Sequence, residues 1–158
     1  MLILLMAVLG CGTAEPEITV VQDQPAPDAT ALRVHLTIDD APWQLERGVD
    51  LSPLSVTAVG AWNARARDAL VARDVPASVF FVCDRMRPGD GSEDWSKAGF
   101  AVGNHTHSHQ RLSKSDKEDW LLDVAKCNQA IRDRMDHRPT WIRYPYLDYG
   151  KNAAQQEA

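Results

Sequence analysis

Three imidazoles fall within five residues in Gly103-Asn104-His105-Thr106-His107-Ser108-His109, directly after a short apolar run. His105 and His109 stand four apart, and a helical or tight-turn backbone brings such a pair to one face, close enough to hold a single cation. Neutral imidazole is the commonest metal ligand among side chains, and two on one local element need only a third partner from elsewhere. Asp39-Asp40, at the end of an apolar run in the first third of the chain, offers that partner. The bland alternatives are a chance cluster of histidines and a pair of aspartates that closes a turn before Ala41-Pro42.

Positioning these groups requires an alternation of strands and helices. Arg33 to Ile38 reads as a first strand ending at Asp39-Asp40, stopped by Pro42. Residues 43 to 56 read as a polar loop. Val59, Trp62, Ala66 and Ala69-Leu70 then recur at helical spacing up to about Arg73. Val75 to Cys83 is apolar enough for a strand buried on both faces. A loop with Pro88, Gly89 and Gly91 leads to a short helix around Asp94–Ala98, and Gly99 to Gly103 forms a third strand that delivers the histidines. Ser115 with Glu118 has the form of a capping box, and Trp120, Val124, Cys127, Ile131 and Met135 share one helical stripe behind it. Thr140 to Arg143 reads as a fourth short strand, followed by Tyr144-Pro145-Tyr146, Gly150 and a polar tail. Such alternation implies right-handed crossovers and a parallel sheet or barrel. Asp39, Asp40, His105, His109 and Arg143 all fall just after C-terminal strand ends, where parallel α/β folds build their sites.

The whole chain has 158 residues, room for one domain with a real core, and its 44% hydrophobic and 25% charged residues match an ordinary globular protein. A net charge of −5 argues against a nucleic-acid binder, which needs a basic face. Residues 1–10 read as a signal peptide: Leu2 to Leu9 is continuously apolar but far shorter than the roughly 20 residues that span a bilayer. Val8-Leu9-Gly10-Cys11 resembles a bacterial lipobox, with Cys11 as the acylated residue and no Lys or Arg ahead of the apolar run. An ordinary secretory signal or a buried strand are the alternatives. Residues 11–31, rich in Pro, Asp, Glu, Gln and Thr, read as a flexible tether, within which Ile18 to Val21 could pair as a stray edge strand. The folded domain is expected over 32–158. Cys83 and Cys127 are placed for either a disulfide or two buried thiols.

Three segments, Thr37-Ile38-Asp39-Asp40, His105-Thr106-His107-Ser108-His109 and Arg143-Tyr144-Pro145-Tyr146, together resemble the first three signature motifs of the polysaccharide deacetylases, the family-four carbohydrate esterases. Pro76 to Val82 and Gly99 to His109 resemble that family's second strand and histidine loop, so the likeness runs from about Arg33 to Gly150. The resemblance implies an α/β fold, a distorted (β/α) barrel of which about four parallel strands are present. It implies one divalent metal, zinc or else cobalt or nickel, held by Asp40, His105 and His109. Asp39 would be the general base, Arg143 its charge-balancing partner, and the Tyr146 backbone N–H an oxyanion donor, with Pro145 and Tyr146 against the substrate. The expected activity is removal of acetyl groups from a polysaccharide, an N-acetylglucosamine polymer or acetylated xylan, at the bacterial cell envelope. The membrane would be met only through a lipid on Cys11.

The other notable residues have plainer readings. His107 stands where the family has an aromatic and is assigned to packing; His35 and His137 are structural or solvated. Trp62, Trp120 and Trp141 read as core, whereas Trp43 and Trp95 fall in loops where they could stack on a sugar. The family carries two further motifs: an Asp and Trp pair lining the pocket, and a Leu-rich strand with the histidine that acts as general acid. Neither follows Gly150 before Ala158. The chain is therefore expected to be a truncated product or fragment, with an unpaired sheet edge and exposed apolar faces. A general acid is typically worth about 10²–10⁴-fold, so the competing reading is a non-catalytic surface lipoprotein that binds metal or glycan.

Overall fold

The computed structural model describes residues 34–43 and 53–157. The signal peptide, Cys11, the tether and its stray strand lie outside the described residues. Three strands, β1 (Leu36–Ala41), β2 (Ala77–Phe81) and β3 (Ala101–Asn104), form one parallel sheet in the order β1-β2-β3. The helices are α1 (Pro53–Val71), α2 (Glu93–Lys97), α3 (Lys117–Met135) and α4 (Ala153–Gln156). The α/β class expected from the sequence is what the structure shows.

The strand count and several boundaries differ from expectation. In place of a fourth strand over 140–143 there is a single parallel bridge between Asn104 and Ile142. Trp141 O accepts from Asn104 N and Arg143 N donates to Asn104 O, each at 2.9 Å, and pairing stops there. Pro139 and Pro145 bracket this short segment, and neither can donate to a ladder. β1 starts at Leu36 and continues through Asp39 and Asp40 to Ala41, so the two carboxylates lie within the strand rather than beyond it. α1 begins at Pro53, inside the stretch read as loop, because a first-turn proline has no N–H to leave unsatisfied. α3 is capped by Asp116, which accepts from Glu118 N at 3.0 Å, not by Ser115, whose hydroxyl turns back to Arg111 O. The polar tail is not loose: α4 is held by Gln155 Nε2 donating to Leu112 O at 3.1 Å and by Lys117 Nζ donating to Ala154 O at 2.8 Å.

The core joins the sheet to α2 and α3 through Val79, Phe81, Trp95, Val102, Cys127 and Ile131. Trp95 is fully buried, edge-on to Trp43 and Phe100, and its Nε1 donates to Asn63 Oδ1. Trp95 is therefore not free to stack on a sugar, and Trp43, half-buried, packs edge-on against it. Trp120 is core as expected, but Trp62 is 51% and Trp141 67% exposed. On α1 the inward position goes to Asn63, whose amide is satisfied by Val59 O, Asp90 O and the Trp95 indole; Trp62 turns outward, with Arg65 near its ring. A disulfide joins Cys83 to Cys127, settling the choice left open by the sequence, and ties the end of β2 to the middle of α3.

Gly103 shows how tightly the sheet is packed beneath the histidine loop. A Cβ built there would stand 2.4 Å from Cδ1 and Cε1 of Phe80, a buried ring. Gly103→Ala is expected to destabilise the fold by about 1–3 kcal/mol, the range for overpacked cores, read as a lower denaturant midpoint at unchanged slope.

Candidate metal and acyl-transfer site

The site is built at the C-terminal edge of the sheet. β1 and β2 run in register from Leu36↔Ala77 to Ile38↔Val79, then shift so that Ala41 pairs with Phe81. The extra residue is a bulge at Asp39-Asp40, with Asp40 at φ 64. In a regular strand two adjacent side chains point to opposite faces; a bulge re-aims them, so both carboxylates reach the same edge.

The histidine loop is clamped by its own polar groups. His105 N donates to Phe81 O, and Asp84 N donates to His107 O, each at 2.9 Å. Thr106 N donates to Asn104 Oδ1, and Thr106 Oγ1 accepts from His109 N at 3.0 Å. Ser108 donates twice to Asp123, from N at 2.9 Å and from Oγ at 3.0 Å. His105 is buried, with Nδ1 at 2.8 Å from Arg143 O. A carbonyl only accepts, so Nδ1 carries the proton and Nε2 keeps its lone pair for a ligand. Burial pushes the His109 imidazole below its ordinary value, outweighing the pull of Asp40 in the other direction, and so favours the uncharged ring that a metal requires.

Asp40, His105 and His109 are brought together: each offers one ligand atom, and these lie within 4.8 Å of one another. His109 Nε2 stands 3.2 Å from Asp40 Oδ1. Two imidazole nitrogens and a carboxylate oxygen suit zinc and its first-row neighbours, and three protein ligands leave room for a reacting group. The donor set therefore fits a divalent cation. Asp39 does not join it. Its Oδ2 faces Arg143 Nη1 at 3.6 Å, while its buried Oδ1 has no hydrogen-bond partner. The Arg143 guanidinium lies 4.9 Å from the Phe80 ring centroid, a contact that steadies it beside the carboxylate. Pro145 is buried at the start of the turn Pro145–Leu147, and Tyr146, at φ 59, sets its ring 4.6 Å from that of His109. Asp40, Thr106, His109, Tyr146 and Leu147 all carry positive φ without being glycine, so backbone strain is concentrated around this edge.

Several supporting residues are not among those the sequence singles out. Arg85 Nη1 donates to Asp40 twice, to Oδ1 at 3.0 Å and to the backbone O at 3.3 Å. Its one signal is its position just past the C-terminal end of β2. Asp123 is buried on the otherwise apolar stripe of α3, where an acid has to have a partner. Asn104, also buried, bridges the loop to Val124 O and Asn128 Oδ1 of the same helix. His107 is half-buried and contributes no ligand atom to the cluster, and His35 bonds Ser78 Oγ at the opposite end of the sheet.

The family model described as polysaccharide deacetylase matches residues 27–158. A chitin deacetylase from Arthroderma benhamiae is 33% identical over 63 residues, 39% of this chain and 17% of that protein. Among solved structures, the peptidoglycan deacetylase PdaC from Bacillus subtilis superposes with a TM-score of 0.58 at 24% identity, covering 78% of this chain and 52% of its own. The chitin deacetylase of Colletotrichum lindemuthianum gives 0.59 at 22% identity, with 78% and 49% covered. The chain thus spans about half the length of these solved relatives, and the likeness at such identities is one of fold.

Groups that hold a ligating carboxylate in place typically contribute about 10–100-fold to metal affinity. Arg85→Met is accordingly expected to weaken divalent-metal binding by about that factor, measured by competition with a chromophoric chelator, with the circular dichroism unchanged.

Proposed function

The chain belongs to the polysaccharide deacetylase family, and from that premise we propose that it hydrolyses acetyl groups on a polysaccharide, an N-acetylglucosamine polymer or acetylated xylan. The observation that carries the proposal is the convergence of Asp40, His105 and His109 beside an Asp39 that pairs with Arg143 and keeps one oxygen unengaged.

In this reading Asp40, His105 and His109 hold one divalent cation, zinc being the first choice for the donor set. When bound, such a cation polarises the acyl carbonyl and brings the pKa of water down to about 7. Asp39 takes the proton of the attacking water through its unpaired Oδ1, and the tetrahedral adduct forms at the acetyl carbon. Arg143 supplies the counter-charge that fixes Asp39 in place, and its carbonyl also orients His105, so one residue aligns the base and a ligand together. The backbone N–H of Tyr146 donates to the oxyanion, and preorganised donors of this kind usually supply more of the rate enhancement in acyl transfer than any other single effect. Collapse of the adduct breaks the C–N bond of an acetamide, or the C–O bond of an acetyl ester, as the proton held on Asp39 passes to the departing nitrogen or oxygen, and acetate is released.

The protein is further proposed to work at the cell envelope, exported by residues 1–10 and anchored through a lipid on Cys11. Cys11→Ser is expected to abolish incorporation of labelled palmitate and to move the protein from the membrane fraction to the soluble one; labelling that survives the substitution rules the anchor out.

The catalytic reading is tested by acetate release from N-acetylglucosamine oligomers and acetylated xylan with added zinc or cobalt. Asp39→Asn removes the base but none of the three ligands, so turnover is expected to fall by about 10²–10⁴-fold while calorimetric metal affinity stays within a few-fold. Tight metal binding by the unaltered chain with no acetate released from either polymer assigns the non-catalytic metal- or glycan-binding role instead.

A further inference from the structure

The proposed reaction makes no use of the Cys83–Cys127 disulfide, yet the bond joins the two supports of the histidine loop. Cys83 follows β2, and the residues from there on reach the loop and one ligand. Cys83 N donates to Thr106 O at 3.2 Å, and Asp84 N donates to His107 O at 2.9 Å. Arg85 Nη1 donates to Asp40 Oδ1 at 3.0 Å. Cys127 lies on α3, one helical turn beyond Asp123, which accepts from both N and Oγ of Ser108. On the same stretch of helix, Val124 O and Asn128 Oδ1 accept from the Asn104 amide.

The loop bearing His105 and His109 is thus held from both sides, and the disulfide is the covalent link between the two holds. It also encloses the loop along the chain. The cysteines are 44 residues apart in sequence, and the segment between them contains α2, β3 and both histidines. Closing a ring of this length removes conformational freedom from the states in which that segment opens. With two thiols in place of the bond, only hydrogen bonds and apolar contacts oppose the parting of α3 from the end of β2.

We infer that Cys83 and Cys127 form a redox gate on metal loading: the dithiol chain folds with its histidine loop loosely held, and it binds a divalent cation tightly only once the disulfide has formed. The inference rests on the reading of Asp40, His105 and His109 as metal ligands. The step is thiol–disulfide exchange with a disulfide-bearing oxidant, an oxidoreductase or glutathione disulfide. One cysteine thiolate attacks it to give a mixed disulfide, and the second thiolate displaces the oxidant's remaining sulfur. The two cysteine thiols lose two electrons and two protons in all, and the oxidant leaves as two thiols. Cys83 is 5% exposed and Cys127 fully buried, so the finished bond is shielded from attacking thiolates and the oxidised form persists. Disulfides form in oxidising compartments and are rare in the cytosol, which places metal acquisition after export.

The test compares the oxidised full chain with the same chain reduced by a phosphine and freed of reductant under argon. Both carry Cys11→Ser, so that of the three cysteines only Cys83 and Cys127 remain. The reduced chain is expected to bind divalent cobalt about 10- to 100-fold more weakly, the range for losing the support of a metal ligand, read by competition with a chromophoric chelator. Because a freed thiol could itself take the metal, the Cys83→Ala, Cys127→Ala double variant, which has none, is expected to match the reduced chain. Amide hydrogen exchange separates local loosening from general destabilisation. The N–H groups of Thr106, Ser108 and His109 should exchange about 10-fold or more faster on reduction, and those of Val79 and Val102 in the sheet should not change. By reciprocity, saturating metal should make the disulfide harder to reduce in a glutathione buffer by the same factor. Equal affinity in both forms, loss of the circular dichroism on reduction, or exchange that rises alike in sheet and loop overturns the gate and leaves the ligand cluster standing. Failure of the oxidised chain to bind any divalent metal overturns the cluster, and the gate with it.

Discussion

The arrangement depends on one local irregularity, the bulge that lets Asp39 and Asp40 sit side by side on the same edge of the sheet. A regular strand would send one carboxylate into the core and the other away from the histidines. The bulge puts Asp40 in a left-handed conformation at a non-glycine residue and crowds two like charges at adjacent positions. Both are costs that only the surroundings can offset. Two arginines from distant parts of the chain do so, Arg85 at Asp40 and Arg143 at Asp39, each aspartate with its own cation. Splitting the counter-charge in this way gives the neighbouring carboxylates separate surroundings: Asp40 joins the two imidazoles, and Asp39 stands beside them with one oxygen unengaged.

The histidine loop answers the same constraint from the other side. It leaves β3 with Asn104 still in the strand and then passes through Thr106 and His109, both at positive φ. Such a path is stabilised by hydrogen bonds to the loop's backbone: Phe81, Thr106, Asn104 and Asp123 accept from the N–H groups of His105, His109, Thr106 and Ser108, and the carbonyls of Thr106 and His107 accept from Cys83 and Asp84. The buried Asp123 and Asn104 therefore act at a distance, fixing the loop to α3 and through it the direction of the imidazoles. The Cys83–Cys127 disulfide fastens the end of β2 to that same helix.

Much of this is legible in the sequence. The histidine spacing, the paired aspartates and the Arg-Tyr-Pro-Tyr segment are short patterns whose chemistry is carried by residue type, and parallel topology tells which ends of the strands they occupy. What sequence periodicity cannot supply is local backbone geometry. The bulge shifts register without changing the apolar pattern, so the pattern ends β1 too early. The bridge at Ile142 has the composition of a strand, but prolines on both sides prevent it from extending. Trp62 and Trp141 show the limit of assigning burial by residue type: hydropathy favours them over Asn63, yet Asn63 is the residue inside, because its amide joins α1 to the Asp90 loop and the Trp95 indole at once. Arg85 escapes notice for the opposite reason, since nothing in a Cys-Asp-Arg triplet announces that it will reach back 45 residues to a carboxylate.

The distribution of positive charge gives the site its direction. Arg85 and Arg143 are engaged by the two aspartates, Arg85 with its side chain 24% and Arg143 29% exposed, and so contribute little field to the solvent. Arg111 and Lys114 stand outside that inner ring, on the cleft that adjoins His109 and Tyr146. The same partition explains why Tyr146 contacts both an imidazole and a guanidinium: its ring joins the ligand cluster to the cationic rim, while its backbone belongs to the turn that completes the edge.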